Sequence, residues 1–131
     1  MGGKYRAITV KKIIDNENVQ ATDSAYSDPI LVAYAEHFSY VIEVTGTTPR
    51  IKLDYQIIAS PEGDADNVST IHDGEVSWYT PVTNGNLVAE VSASQADGFS
   101  PAVTRWLRIA VTGTAANHAT DTYVTVYIMY Q

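Results

Sequence analysis

The stretch Arg50-Ile51-Lys52-Leu53-Asp54-Tyr55-Gln56-Ile57-Ile58 decides the fold class, because apolar and polar side chains alternate along it. Successive residues of a β-strand point to opposite faces of a sheet, so this alternation predicts a strand with one buried and one wet face. Residues 38–45 alternate in the same way, and Gly46-Thr47-Thr48-Pro49 joins the two runs. A connection of this length that contains glycine and proline predicts that the two strands form a hairpin.

The same arrangement recurs late in the chain. Residues 103–112 alternate, and residues 113–119 lead from them into an apolar run over 121–130. Both units contain the sequence Val-Thr-Gly-Thr, at 44–47 and at 111–114. Two explanations of this echo have equal weight: a duplicated unit, or the general preference of β-branched residues for strands beside a turn glycine.

The central part of the chain has weaker signals. Short strands are predicted at 76–79 and 87–92, because apolar residues there are separated by proline and by an Asn-Gly turn. Residues 60–73 are predicted to form a long loop, since they combine a proline, glycines and acidic residues with few apolar side chains.

Together these elements predict an all-β protein. Several short strands with regular turn signals are typical of a single antiparallel β-sandwich, with either jelly-roll or immunoglobulin-like connections. A chain of 131 residues fits one domain and can bury a core without disulfides or metal. Residues 1–27 are largely polar, so we expect an extended N-terminal arm or a peripheral strand there, and the sandwich over 28–131.

Charge and composition narrow the classes of partner. The chain has 15 acidic against 8 basic side chains, a net charge of -7, and no cysteine. Nucleic acids and anionic membranes attract clustered lysine and arginine, so we expect neither as the main partner. No apolar run approaches the roughly 18 residues of a membrane-spanning helix. The start of the chain has no secretory signal pattern, which favours synthesis in the cytoplasm.

A search for catalytic chemistry leads to no enzyme class. The sequence has no Gly-x-Ser-x-Gly elbow and no glycine-rich phosphate loop. His37, His72 and His118 are far apart, and their spacing does not suggest a metal site. We therefore expect a protein that is not an enzyme and needs no cofactor or metal. The acidic stretch 62–75 departs from the EF-hand pattern, and whether it binds calcium stays open.

The high number of aromatic residues is the most informative feature of the composition. The chain has nine tyrosines and two tryptophans, and residues 123–130 are bulky on both faces of the predicted strand. Such a strand must be covered on both sides, by the arm or by another subunit. Tyrosine, tryptophan and arginine are enriched at protein interfaces. The predicted interface residues are Tyr5, Trp106, Arg108, Tyr123, Tyr127 and Met129. The alternative is a carbohydrate-binding module, in which Trp78, Tyr79 or Trp106 would stack on sugar rings.

The stretches 40–47, 51–56 and 106–114 resemble those of small β-sandwich proteins of tailed-phage and related virus particles, of the capsid-decoration or head-associated type. The resemblance spans about residues 38 to 131 and leaves the first 27 residues uncovered. It implies a virion structural protein, most directly a capsid-associated subunit with a decoration or head-completion role. Its implied partners are further copies of itself and other virion proteins, including the capsid protein, after synthesis in the host cytoplasm. It transfers no catalytic residue.

Overall fold

The computed structural model describes residues 7–33, 35–58, 78–81, 85–102, 104–117 and 120–131. Tyr5, the predicted loop at 60–73, the acidic stretch 62–75, His72 and His118 lie outside the described residues. The strands are β1 (Thr9–Asn18), β2 (Ser24–Tyr26), β3 (Ile30–Leu31), β4 (Phe38–Thr45), β5 (Ile51–Ile58), β6 (Trp78–Tyr79), β7 (Asn86–Val91), β8 (Gln95–Phe99), β9 (Trp106–Gly113) and β10 (Tyr123–Tyr130).

These strands form two antiparallel sheets around one core. The first sheet has the order β1-β10-β4-β8. In the second sheet β9 and β5 are central, β2 and β3 pair with successive parts of β9, and β6 and β7 pair with β5. The predicted all-β fold built from antiparallel sheets as a sandwich is confirmed.

The core lies where the alternation places it. On β5, Ile51 and Leu53 are fully buried, and Tyr55 is 1% exposed. The inward side chains of β9 and β10 are equally enclosed: Leu107, Ile109, Val111, Val124, Val126 and Ile128. Tyr55 also joins the two sheets, because its ring lies 5.8 Å from that of Phe99 on β8.

The two predicted hairpins are wrong. β4 pairs with β10, and β5 pairs with β9, so each predicted hairpin has its two strands in different sheets. The connection after β4 crosses between the sheets, and Gly46 takes φ of 123° there, a conformation that glycine adopts without steric cost. Alternation identifies the face that a side chain occupies but not the strand beside it. The two Val-Thr-Gly-Thr units therefore belong to two crossing connections.

Side-chain hydrogen bonds link these two connections. The Asn117 side chain is fully buried; its Oδ1 accepts hydrogen bonds from Arg50 N (3.2 Å) and Thr122 Oγ1 (3.1 Å), and its Nδ2 donates to Val19 O (2.9 Å). On the surface, Asp121 accepts two hydrogen bonds from Thr47, which lower the pKa of its carboxyl.

The extended N-terminal arm is not confirmed in the described residues. β1 runs antiparallel to β10 from the Thr9–Tyr130 pair to the Asn18–Tyr123 pair, and Val19 after it is 1% exposed. β1 is thus the edge strand of the first sheet among the described strands. Irregularities of register between residues 12 and 17 break the alternation there, so this half of the strand resembles a polar arm in the sequence.

Replacing Asn117 by alanine is expected to lower the free energy of unfolding by about 3 kcal/mol, because buried backbone groups lose their partners. Urea unfolding monitored by circular dichroism measures the change. The matched control is Asn18→Ala, since exposed Asn18 also donates to backbone carbonyls, those of Thr120 and Thr122. Its expected cost is below about 1 kcal/mol. Equal effects of the two substitutions would contradict the role of Asn117 in linking the two connections.

Candidate functional site

Trp106 requires a correction. The sequence suggested an exposed anchor for a neighbour or a sugar, but only 5% of Trp106 is exposed. Its strand partner at this position is Leu31 of β3. The ring therefore offers little area for stacking on a sugar or anchoring a neighbour, although Trp106 lines, together with Leu31, an open groove at this side of the second sheet.

The predicted sugar-stacking residues do not form one platform. Trp78 is half-buried, and Tyr79 beside it on β6 is 63% exposed. Consecutive residues of a strand point to opposite faces, so the two rings cannot lie side by side on one plane. With Trp106 buried, the three residues provide separate aromatic groups.

The predicted interface residues of β10 lie on the outer face of the first sheet. Tyr123 is 39% exposed, while Tyr127 and Met129 are half-buried. The Nζ of Lys12 on β1 lies 5.7 Å from the centre of the Tyr127 ring and covers part of it. Inside the sheet β10 has β1 on one side and β4 on the other. This outer face is therefore moderately apolar and only partly covered by the chain's own side chains.

Arg108 is the centre of a polar and aromatic cluster on the outer face of the second sheet. Its Cζ lies 4.2 Å from the centre of the Tyr26 ring and 5.0 Å from that of the Trp78 ring. Its Nε donates to Gln56 Oε1 (2.7 Å), and Gln56 Nε2 donates to Thr80 Oγ1 (3.3 Å). These five residues form the Arg108 cluster. Burial lowers the pKa of the guanidinium, which remains charged at every pH of interest.

Most of the exposed large apolar residues in the described chain lie on one edge of the sandwich. Six large hydrophobic residues of the described chain are exposed, and four of them belong to the N-terminal segment that forms this edge: Ile8 (64%), Val10 (60%), Tyr26 (51%) and Leu31 (48%). This edge consists of β1 in one sheet and β2 and β3 in the other. We call it the β1–β3 edge. Between its strands runs an open groove of about 570 Å³, lined in part by Lys11, Lys12 and Leu31.

The backbone of β1 adds hydrogen-bonding capacity to this edge. Among the described residues β1 pairs only with β10, so its other side presents N–H and C=O groups that no described strand pairs with. Such an edge is a template for another strand, and lysines on an edge strand limit indiscriminate pairing. Sequence reasoning missed Val10 and Tyr26 because they lie in polar segments, although the β-branched run Ile8-Thr9-Val10 was an available signal. It missed Leu31 because the apolar run Ile30-Leu31-Val32 does not show which of its side chains is exposed.

Asp54 is an unusual polar residue on the second sheet. It is 7% exposed, and its Oδ1 has no hydrogen-bond partner. Its Oδ2 lies 3.5 Å from Lys52 Nζ. Burial raises the pKa of this carboxyl, and the attraction of Lys52 opposes part of the rise. The ionised carboxylate therefore reduces the stability of the fold.

The described residues hold no cluster of three or more side chains that would bind a metal ion. Nor does the same part of the chain contain a helix long and apolar enough to cross a membrane.

No family model matches the chain, and no curated protein matches it. Among the solved structures that match is a chain from the work titled "Bacillus endospore appendages form a novel family of disulfide-linked pili". The alignment covers 100% of this chain and 94% of the other, with 14% identity and a TM-score of 0.47. A likeness of this size carries no argument about function.

Two tryptophan variants test the burial of Trp106. In Trp78→Phe the remaining Trp106 is expected to resist acrylamide quenching, whereas in Trp106→Phe the remaining Trp78 is expected to be quenched much more strongly. Fluorescence titration of both folded variants measures the difference. Efficient quenching of Trp106 in the first variant would contradict its burial and show that it is a surface residue.

Asp54→Asn is expected to raise the free energy of unfolding at pH 7, because the amide is not charged at the buried position. The carboxyl has a folded-state pKa above its unfolded value, so the wild-type protein loses stability as the pH rises through the unfolded pKa towards the folded one. The advantage of the variant should therefore vanish at pH 3, where the Asp54 carboxyl is protonated in both the folded and the unfolded protein. Urea unfolding at both pH values provides the comparison; a destabilised variant at pH 7 would contradict the burial cost.

Proposed function

We propose that this protein is a non-enzymatic structural subunit of a virus particle, a capsid-associated protein of the decoration or head-completion type. In this proposal it assembles with its own copies and with other virion proteins through the β1–β3 edge. The observation that carries the assembly part is the coincidence, on one edge, of four exposed large apolar residues and a strand, β1, that is paired on only one side among the described residues. The virion part rests on the sequence resemblance.

Such an edge favours association for two physical reasons. A neighbouring strand added to β1 would satisfy backbone groups and fix the register of the contact. The exposed side chains on either side of the edge, such as Val10 and Leu31, would then lose water at roughly 25 cal/mol per Å² of apolar area, before the entropic costs of association. The chain has no cysteine, so disulfide bonds cannot contribute to these contacts.

For the type of sandwich we propose the jelly roll. When β2 with β3 and β6 with β7 are counted as single strands, eight strands remain, in the orders 1-8-3-6 and 2-7-4-5. The first strand then pairs with the last, the second with the seventh, and so on inwards, as in a long hairpin wrapped around the core. This nesting agrees with jelly-roll connections, an architecture that capsid proteins use.

Charge substitutions on the edge test the assembly. Leu31→Asp and Val10→Asp are each expected to weaken self-association about tenfold or more, equivalent to at least ~1.4 kcal/mol. Sedimentation velocity over a concentration series measures the association, and circular dichroism confirms folding. Tyr79→Asp is the matched control, because Tyr79 is as exposed but lies at the opposite edge on β6. A monomeric wild-type protein, or equal loss in all three variants, would contradict the proposed edge.

The virion assignment has its own test. We expect the coding gene to lie beside genes for portal and major capsid proteins, and the chain to occur in purified particles by mass spectrometry. A cellular gene neighbourhood without virion genes would remove this part of the proposal and leave the assembly part to the sedimentation experiment.

A further inference from the structure

We infer that Arg108 binds a carboxylate of a second copy of this chain, supplied by Asp23 or Asp28 at the partner's β1–β3 edge. This inference rests on the proposed function, because it assigns a specific polar contact to the same edge. It adds a self-complementary ion pair, which would determine how two copies align.

Neighbouring side chains position the guanidinium of Arg108 for a carboxylate ligand. The rings of Tyr26 and Trp78 lie close to it, at 4.2 and 5.0 Å from Cζ, and Gln56 fixes its Nε. Within the described chain no hydrogen bond or ion pair uses its two terminal nitrogens. A planar guanidinium with both terminal N–H groups available presents a fork that matches the two oxygens of a carboxylate.

Arg108 also lies at a break in the edge. β2 pairs with β9 at residues 110–112, and β3 pairs with it at residues 106–107, so no edge strand runs beside Arg108. Ser27 bridges this gap: its N donates to Ile109 O (2.9 Å) and its Oγ accepts from Ile109 N (2.9 Å). In the described chain, the segment around Ser27 rather than a paired strand therefore flanks β9 beside Arg108.

The same edge carries carboxylates without partners. Asp23 and Asp28 stand on either side of β2, both are exposed, and neither side chain forms an ion pair or hydrogen bond in the described chain. Neither forms an ion pair with Arg108 of its own chain. One surface therefore holds both halves of an ion pair that the described residues of a single chain do not form.

A twofold contact would satisfy both halves. In a twofold dimer the same patch meets itself, so Arg108 of each copy reaches an aspartate of the other and two pairs form. The net charge of -7 makes close approach of two copies unfavourable in general, and an arginine placed against the partner's aspartates offsets this repulsion locally. The half-exposed ring of Tyr26 belongs both to the Arg108 cluster and to the β1–β3 edge, which makes the two surfaces continuous.

The experiment is a charge exchange read by sedimentation equilibrium. Arg108→Gln is expected to weaken dimerisation about tenfold or more, and Arg108→Lys to recover only part of the loss because the fork is gone. The matched control is Arg50→Gln, whose partner Glu90 lies in the same chain at 3.3 Å, and it should associate like the wild type. Arg108→Glu should associate least, and adding Asp23→Arg or Asp28→Arg to it should restore association in at least one of the two double variants.

The outcomes separate this inference from the proposed function. If Leu31→Asp weakens association but Arg108→Gln does not, the edge stands and the Arg108 contact is wrong. If neither double variant recovers association, the aspartate assignment is wrong. A wild-type protein that stays monomeric overturns both. Calorimetric binding of hyaluronan by the wild-type protein but not by Arg108→Gln would assign the site to an acidic sugar and also overturn the inference.

Discussion

The pairing of the first described strand with the last is the constraint on which the rest of the structure depends. β10 is central in its sheet, between β1 and β4, and its inward side chains Val124, Val126 and Ile128 are completely buried. The backbone of such a strand must be paired on both sides, because unpaired polar groups are costly away from water. β1 provides one of these sides. In doing so it becomes the edge strand, and its own outer backbone remains open.

The sequence predicts which faces of the long strands are buried, but it does not predict which strands pair with each other. The alternation over 50–58 correctly assigned Ile51, Leu53 and Tyr55 to the core, because burial of one face imposes a period of two. The hairpins failed because a local turn signal does not distinguish a turn within a sheet from a crossing between sheets. β8 went unnoticed, since Gln95–Phe99 is almost wholly exposed and has no alternating pattern.

In the candidate site, too, some residues could be selected from the sequence, but their arrangement in space could not. Sequence reasoning selected Arg108 and Trp78, but for different functions; their proximity depends on the registers of β5 with β9 and β6, which no local pattern encodes. Tyr26 was missed because it lies in a polar segment, although it is the residue that joins the Arg108 cluster to the edge. Trp106 was misjudged for the reverse reason: it faces away from the core residues of β9 and is nevertheless buried.

The two edges of the sandwich differ in exposure and charge. One edge, β1 with β2 and β3, combines exposed apolar side chains, open backbone and unpaired charges. The other, β8 with β6 and β7, has Tyr79 as its one exposed large hydrophobic residue among those described. In the proposed assembly, this asymmetry would direct association to the β1–β3 edge.

Amide hydrogen exchange, compared between dilute and concentrated protein by mass spectrometry, tests the central claim most directly. We expect peptides from residues 9–18 and 24–31 to exchange more slowly in the concentrated sample, while peptides from 86–99 stay unchanged. Identical exchange of residues 9–18 at both concentrations, or protection confined to 86–99, would contradict the claim that the open side of β1 is where copies of this chain meet.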